Sequence, residues 1–505
     1  MTRCIRWPWS FLWMTGLLLC AALGVAVQAQ TSGAGRVWTR FRGSNADDKG
    51  QAAAVDSQSN VYVCGYTAGV LDGETNKGQA LIKWNAAGEW IWTRTLGGSG
   101  AEAHGVAVDT QDNVYVCGTA IQNFDGHVHP APGANLATLT KYDSEGVKQW
   151  SDLFGSADET YALDTACDPH LNVYVAGFTY GAFDGQAFRG TEDPFIRKWD
   201  QNGNWQWTRL WGTNEEEEAR GLAVFGTNIY VGGYTLVPFD GQPTIGRCDV
   251  FVSLWHADGT KLWTQILGTP SNDYPMIMQG HAGDAFTIAG DTEGAWAGQT
   301  NQGCQDVFVM VFDKEGTLRW VRTFGGTNSE YASGVTLGVS AVYVAGYVLP
   351  GSSWGGQTTT GPHEDTFLEA RAGNGATNWT RFWGSTNADI PGKIAAAADG
   401  AVYIPGMASA PGYDGQNASG GQDITISRYE PGYRVRITNV NLTAGASVLQ
   451  WRGAYDWQYS LMECADLADG SWNTVAGQSN LPGQEFMCAT GWGPAVHFWR
   501  PRASH

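Results

Sequence analysis

Residues 60–67 read "NVYVCGYT", and the chain writes variants of this phrase six more times: "NVYVCGTA" (113–120), "NVYVAGFT" (172–179), "NIYVGGYT" (228–235), "AFTIAGDT" (285–292), "AVYVAGYV" (341–348) and "AVYIPGMA" (401–408). Val, Tyr and Ile favour strands, and a Gly at a fixed place in a strand marks a bulge or a close backbone approach. A second phrase keeps step with the first. "WTRFRG", "WTRTLG", "WSDLFG", "WTRLWG", "WTQILG", "WVRTFG" and "WTRFWG" begin at Trp38, Trp92, Trp150, Trp207, Trp263, Trp320 and Trp379. These tryptophans lie 54, 58, 57, 56, 57 and 59 residues apart. A period of about 57 suits propeller-type repeats.

One unit reads as four short strands. A small apolar strand such as "HGVAVD" (104–109) leads through a turn into the "VYVCG" strand. A long loop, usually containing "FDGQ", precedes a third strand like "DPFIRKWD" (193–200), and a "QNGN" turn leads to the fourth, "WQWTRLWG" (205–212). Helical periodicity is absent. Seven four-stranded units predict an all-β, seven-bladed β-propeller. The seventh unit, ending in "DITISRYEP" (423–431), lacks its fourth strand, whereas "VWTRFRG" (37–43) stands alone near the N-terminus. The expectation is that this N-terminal strand closes the ring and leaves no unpaired edge at the seam.

The phrases "NVYVxGxT", "DxFxxKxDxxG" and "WxRxxGG" resemble those of the bacterial seven-bladed β-propeller repeat family, the SBBP repeats, across residues 37–431. The resemblance implies an exported bacterial protein with a binding or scaffold role. Units five and six depart most: "AFTIAGDT" loses the Tyr, and the Asp of "FDGQ" becomes Ala297 and Gly355. After Pro431 the pattern changes. "YSLMECADLADGSWNTVAG" and the ending "VHFWRPRASH" resemble a small β-sandwich module of exported bacterial proteins, although Cys464 stands where that pattern has Ser. The expected domains are a signal peptide at 1–29, a propeller at 30–431 and a small β-sandwich-like domain at 432–505. Cys464 and Cys488 are the only cysteines of the last domain and are expected to pair, as suits a small exported domain.

Composition agrees with this reading. The 505 residues include 68 Gly and 24 Trp, with 43% hydrophobic and only 16% charged residues, which is the balance of many short strands and tight turns rather than of disorder. The formal net charge of -19 disfavours nucleic acid and anionic membranes as partners. Arg3 and Arg6 precede an apolar run from Phe11 to Val27, and "VQA" supplies small residues before a cut after Ala29. This pattern predicts a secretory signal peptide. The mature chain is expected to be a secreted or cell-surface monomer, periplasmic or extracellular, with no membrane insertion once the signal is removed.

Candidate chemistry concentrates in the loops. The loop after the second strand and the loop between units fall on one face. The first kind carries Asp72, Asp125, Asp184, Asp240 and Asp414, each followed by Gly, and the second carries Asp48, Glu102, Glu159, Glu330 and the run Glu215 to Glu218. Each Asp-Gly either builds a turn, with its carboxylate bonded to backbone N–H groups, or contributes to a cation-binding rim, for which calcium is the suitable ion. Phe124, Phe183, Phe239 and Trp354 lie beside these positions. Aromatic faces next to Asp125, Asp184 and Asp240 suit sugar hydroxyls or cationic side chains, so these seven residues are the expected ligand site. In "FDGHVHP" (124–130), Asp125, His127 and His129 would share a face of an extended stretch and could ligate a transition metal.

No nucleophile elbow or P-loop is present, and no catalytic residue is assigned. Two facing rim carboxylates would give the alternative of a propeller enzyme acting on polysaccharide. The phrases "YDSEGVKQW" and "FDKEGTLRW" also resemble the tryptophan-docking repeats of quinone-dependent dehydrogenases, which have eight blades against the seven units here. The reading carried forward is a non-catalytic binding or scaffold protein without a cofactor, holding an extracellular glycan or protein on the acidic loop face.

Overall fold

In each repeat the "VYV" phrase forms the second strand of a four-stranded antiparallel sheet. The computed structural model describes residues 35–430 except 76–77, 282–284, 297, 339–340, 360, 410–418 and 420, together with the backbone of seven strands between residues 436 and 504. Sheet one is β2 (Asp48–Val55), β3 (Val61–Thr67), β4 (Gly78–Trp84) and β5 (Trp90–Gly97), in that order. Sheet two is β6 (Glu102–Val108), β7 (Val114–Ala120), β8 (Leu136–Tyr142) and β9 (Lys148–Phe154). Sheet three is β10 (Thr160–Cys167), β11 (Val173–Thr179), β12 (Asp193–Trp199) and β13 (Trp205–Leu210). Sheet four is β14 (Glu217–Phe225), β15 (Asn228–Thr235), β16 (Asp249–His256) and β17 (Lys261–Leu267). Sheet five is β18 (Asp273–His281), β19 (Ala285–Thr292), β20 (Asp306–Asp313) and β21 (Leu318–Phe324). Sheet six is β22 (Glu330–Leu337), β23 (Val342–Val348), β26 (Asp365–Arg371) and β27 (Thr377–Trp383), with a two-residue hairpin, β24 (Ser353–Trp354) and β25 (Gln357–Thr358), in its long loop. In the last sheet β28 (Asp389–Pro391) and β29 (Ala395–Ala396) both pair with β30 (Val402–Ala408), followed by β31 (Asp423–Tyr429) and then β1 (Arg36–Arg42). The described residues therefore contain seven repeat units, the fourth and fifth joined into one eight-stranded sheet by a parallel bridge between Leu222 and Gln279, and none of these residues is helical.

The fixed Gly of the phrase has a geometric cause. A Cβ on Gly65 would lie 1.8 Å from the Lys49 carbonyl oxygen, and one on Gly177 would lie 1.8 Å from that of Tyr161. The first strand bulges opposite this Gly, as between Gly50 and Ala52 and between Ala162 and Asp164. A bulge brings the two backbones together and sharpens the twist, and only Gly leaves room for that.

The first strands touch in a cycle: β2 with β6, then β10, β14, β18, β22 and β29, and β29 with β2 again. At the last junction Ala53 N donates to Lys393 O and Lys393 N donates to Gln51 O. Apolar clusters sit between neighbouring sheets, so that Tyr115, Leu139 and Phe154 of sheet two pack with Val173, Phe195 and Trp199 of sheet three.

The "W-T-R" phrase fastens one sheet to the hairpin of the next. Trp207 Nε1 donates to Ala257 O at 3.2 Å and Arg209 Nε to Gly259 O at 2.9 Å, while Lys198 Nζ reaches Ala257 O at 2.9 Å. Trp150 and Arg94 make the same kinds of contact, to Gln201 O and Gly146 O. In sheets one to three the Trp also lies against the Tyr of the strand phrase in its own sheet, with Tyr62–Trp92, Tyr115–Trp150 and Tyr174–Trp207 ring centroids 5.9, 6.1 and 6.1 Å apart. β1 takes this same place at the seam. Arg40 Nε donates to Gly88 O of sheet one at 2.8 Å, and the hydroxyls of Thr39 and Ser427 meet at 2.9 Å.

The chain folds into two compact units, Thr39–Arg428 and a second formed by Met1–Trp38 with Tyr429–His505. In the second unit β32 (Arg436–Thr443), β33 (Ala446–Arg452) and β37 (Glu485–Cys488) form one sheet. β34 (Gln458–Cys464) pairs with β35 (Asn473–Thr474), β36 (Leu481–Pro482) and β38 (Phe498–Ser504) in another. Cys464 thus lies in one sheet and Cys488 in the other; the pairing expected of their side chains lies outside the described residues, as does the expected signal peptide.

Candidate functional site

The Asp-Gly turns come first, because the sequence singled them out. Asp72, Asp125, Asp184 and Asp240 adopt φ of 50, 48, 51 and 51°, each followed by a positive-φ Gly. This left-handed pair turns every carboxylate back onto its own sheet. Thr93, Ser151, Thr208 and Thr264, all in the fourth strands, donate their hydroxyls to Asp72, Asp125, Asp184 and Asp240. A cation completes each set: Arg42, Lys148, Arg197 and Lys261 respectively. These aspartates lock the long loop to the outer strand. The bonding differs from an Asp turn held by backbone N–H groups, and the charge is neutralised locally. Asp414 lies outside the described residues.

The aromatic residues beside them face inward, which corrects the expected ligand site. Phe124 and Phe239 are 0% and 1% exposed and Phe183 is buried. Phe124 packs with Ala101 and Ala120, Phe183 against Phe154 and Phe195, and Phe239 against Phe251. The physical reason is the turn: once Asp folds onto the outer strand, the preceding Phe drops between sheets. Trp354 is half-buried, packed on Phe382 and Phe367, with Nε1 donating to Glu369 Oε2 at 2.9 Å. None of the four offers a free ring face in the way the sequence suggested.

The expected metal triad is likewise not brought together. His129 is buried, its Nε2 lies 3.2 Å from Ala120 O, and its Nδ1 accepts from Ala131 N. Both ring nitrogens are therefore used. His127 Nε2 lies 3.1 Å from Ser151 O, and Asp125 is held by Ser151 and Lys148. The turn sends the two histidines to different partners.

Several inter-sheet acids are also structural. Asp48 accepts from Ser44 N and Oγ, Glu217 from Thr213 N at 2.6 Å, Asp273 from Thr269 N, and Glu330 from Gly326 N at 2.7 Å. All four are fully buried. Burial pushes Glu330 up to about 7, and Asp389, at the same place in the last sheet, up to about 6.

A further set of side chains, half-buried or buried, lies one residue further along, and of it the sequence reading had named Glu102 and Glu218 alone. Beside each bulge, the first two strands of every sheet present a facing pair: Lys49 with Tyr66, Glu102 with Thr119, Tyr161 with Phe178, Glu218 with Tyr234, Tyr274 with Asp291, Tyr331 with Tyr347 and Ile390 with Met407. Because the first strands run round the ring, these pairs form a girdle at the loop end of its middle. Tyr161 stacks on Phe178 at 4.9 Å and Tyr331 on Tyr347 at 5.0 Å. Tyr234 and Tyr274 meet edge to face at 6.2 Å across two sheets, and the Arg220 guanidinium sits 5.6 Å from the Tyr234 ring. Burial raises Asp291 to about 7, against the pull of Arg220. The repeated aromatic before Thr in the strand phrase, Tyr66, Phe178 and Tyr234, was the available signal.

Deeper along the middle of the ring, Lys393 Nζ donates to Leu163 O at 2.7 Å and to Asp164 Oδ1 at 3.0 Å. Burial, reinforced by the positive charges of Lys393 and Lys49, pushes the neighbouring His104 down to about 4, so its imidazole stays neutral. On the girdle's edge, Glu192, Glu216 and Glu218 bring carboxylate oxygens within 4.8 Å of one another, the one such cluster found among the described residues. Burial first, and then the adjoining Glu192 carboxylate, raise Glu218 to about 7, with Arg220 opposing.

The family model described as "Beta-propeller repeat" (SBBP) matches residues 37–72 and 91–125. The regulatory protein FlaEY of Caulobacter vibrioides is 25% identical over 368 residues, 65% of this chain, and the match spans only 37% of that relative's length. Among solved structures, the WD40 domain of Neurospora crassa Pan2 is similar at a TM-score of 0.43, with 9% identity, over 76% of this chain and 89% of that one. YCF48 bound to D1 peptide is similar at 0.41, with 11% identity, over 80% of this chain and 100% of that one. Repeat units built from one recurring strand phrase and closed into a ring, with the repeat model matched at residues 37–72 and 91–125, make the chain an all-β propeller that carries SBBP repeats.

Proposed function

We propose that this is an exported, non-catalytic binding or scaffold protein that holds a glycan or protein ligand at the aromatic and acidic girdle on its loop face. The observation that carries the reading is the pair of stacks, Tyr161 on Phe178 and Tyr331 on Tyr347, on either side of Glu218, Tyr234 and Arg220. The half-buried rings of Tyr161, Tyr331 and Tyr347 beside carboxylates suit sugar hydroxyls through stacking and hydrogen bonding, and cationic side chains through cation–π attraction. The repeat family supports a binding or scaffold role, and the apolar run before Ala29 supports export. The test is a glycan array and a panel of Lys/Arg-rich peptides, probed with the mature chain and with Tyr161→Ala and Tyr331→Ala. The expected result is one class of ligand bound by the parent, with affinity falling at least tenfold in each variant. Binding of that class at full strength by both variants would move the site off the girdle. N-terminal sequencing of exported protein should begin at Gln30.

A second reading has one specific support. Glu218, raised to about 7 beside Glu192, is a carboxyl suited to general acid catalysis. Polysaccharide hydrolysis abolished by Glu218→Gln would make the protein an enzyme.

A further inference from the structure

Glu192, Glu216 and Glu218 converge from two sheets. Glu192 directly precedes β12, and Glu216 and Glu218 flank the start of β14. The backbone fixes them together, because Glu217 N donates to Glu192 O at 3.1 Å and residues 192 and 216 form a parallel bridge. Two tyrosines aim the carboxylates. Tyr180 donates its hydroxyl to Glu192 Oε1, and the single Tyr234 hydroxyl lies 2.5 Å from Glu216 Oε1 and 2.7 Å from Glu218 Oε1.

The cluster is under-compensated. Glu192 is 9% exposed, its Oε2 is buried with no hydrogen-bond donor, and its carboxylate adjoins that of Glu218. Arg220 is the cation in contact, 2.7 Å from Glu218 Oε2. Three carboxyl groups converge and a single guanidinium is in contact with them. A buried carboxylate oxygen without a donor is costly, and one divalent cation would both partner it and offset the surplus of acid groups. The donors are all oxygens. Such a set selects a hard cation, and three carboxylates with room for water suit calcium better than the strict octahedron of magnesium.

We propose that Glu192, Glu216 and Glu218 form a calcium site that clamps sheets three and four together at the edge of the girdle. The site deepens the binding reading only by its location, since the ion is held by side chains that the tyrosine substitutions leave in place.

The test uses the full mature chain, stripped with chelator and titrated with calcium chloride, in calorimetry and thermal unfolding. The expected result is saturable binding with Kd of roughly 10⁻⁴–10⁻³ M, as in extracellular calcium modules, and a Tm rise of roughly 1–3 °C at tenfold excess. Glu192→Gln should abolish both responses. In chelator the same variant should melt at or above the parent, because it removes an uncompensated charge, so a lost response cannot be confused with misfolding. Tyr161→Ala should keep the calcium response whether or not the girdle binds ligand. No calcium binding by the parent, or an unchanged response in Glu192→Gln, overturns the site; equal responses to magnesium and calcium overturn the choice of ion.

Discussion

Lys393 Nζ lies 3.0 Å from Asp164 Oδ1, although 229 residues of chain separate the two. Lys393 belongs to the last sheet, its backbone is bonded to Gln51 and Ala53 of sheet one, and its side chain crosses to sheet three. One residue thus touches three sheets from inside the ring. Asp164 is held from its other side by Leu222 N at 3.0 Å.

Removing the ammonium leaves Asp164 buried without its countercharge. Lys393→Met should therefore lower stability by about 3 kcal/mol. Lys393→Met with Asp164→Leu should recover part of the loss, since the pair is replaced by apolar volume. Chemical denaturation midpoints of the two variants decide this, and equal midpoints for parent and Lys393→Met would show the pair to be energetically idle.

Trp207 joins sheets three and four through its ring, its Nε1 bond to Ala257 O and its contact with Tyr174. It is half-buried, so Trp207→Ala should cost about 2–3 kcal/mol, somewhat less than a fully buried Trp. Thermal unfolding is the measurement, and a cost under about 0.5 kcal/mol would place that Trp among ordinary surface residues.

Thr208 donates to Asp184 Oδ2 and accepts from Trp205 Nε1 at 3.0 Å. Thr208→Val should lower stability by about 1–2 kcal/mol and leave ligand and calcium binding unchanged, because the Asp-Gly turns are locks. Lost binding with unchanged stability would return Asp184 to the binding surface.

Glu330 makes stability depend on pH. Its carboxyl is pushed up to about 7 in the folded chain from an ordinary value of 4.5, so the native state holds the proton more tightly than the unfolded chain does. Its contribution is fully present below about 4.5 and is lost as pH rises through about 7. Glu330→Gln should therefore gain Tm relative to the parent at pH 8 and lose that advantage at pH 4.5. His104 and His281, pushed down by burial to about 4 and 3, act in the opposite sense: their stabilisation is lost as pH falls from about 6.5. The Tm difference between variant and parent cancels their effect, and a difference that does not change with pH would refute the assignment.

The fold was legible because its constraints are local and repeated. Gly65 and its counterparts sit where a Cβ would strike a carbonyl, and Trp92, Trp150 and Trp207 recur where one sheet meets the next hairpin. Such residues are dictated by the backbone, so they appear in sequence as a period. The site was less legible. "FDG" placed Phe and Asp side by side in sequence, but the left-handed Asp turns them to opposite sides, one into the core and one onto the outer strand. Tyr66, Phe178 and Tyr234 were absorbed into the strand phrase. Inner strands are buried on both faces, so alternation alone cannot tell a residue near the strand's end from a core residue. The glutamate cluster needs Glu192 from one sheet and Glu216 from the next, a meeting that the run "EEEE" conceals.

The hydroxyl contact between Thr39 and Ser427 spans 388 residues. Closing so long a loop costs about 5 kcal/mol of chain entropy, and almost none of the seam's bonding is gained until the two ends meet. The order of assembly follows from this. Sheets one to six can each form from neighbouring chain as it emerges, whereas the last waits for its final strand and then for β1 to return. Until that moment β31 offers a bare strand edge, a template for any extended segment nearby. Folding of this unit is therefore slow at its final step, and the period before closure is when the chain is most exposed to aggregation and proteolysis.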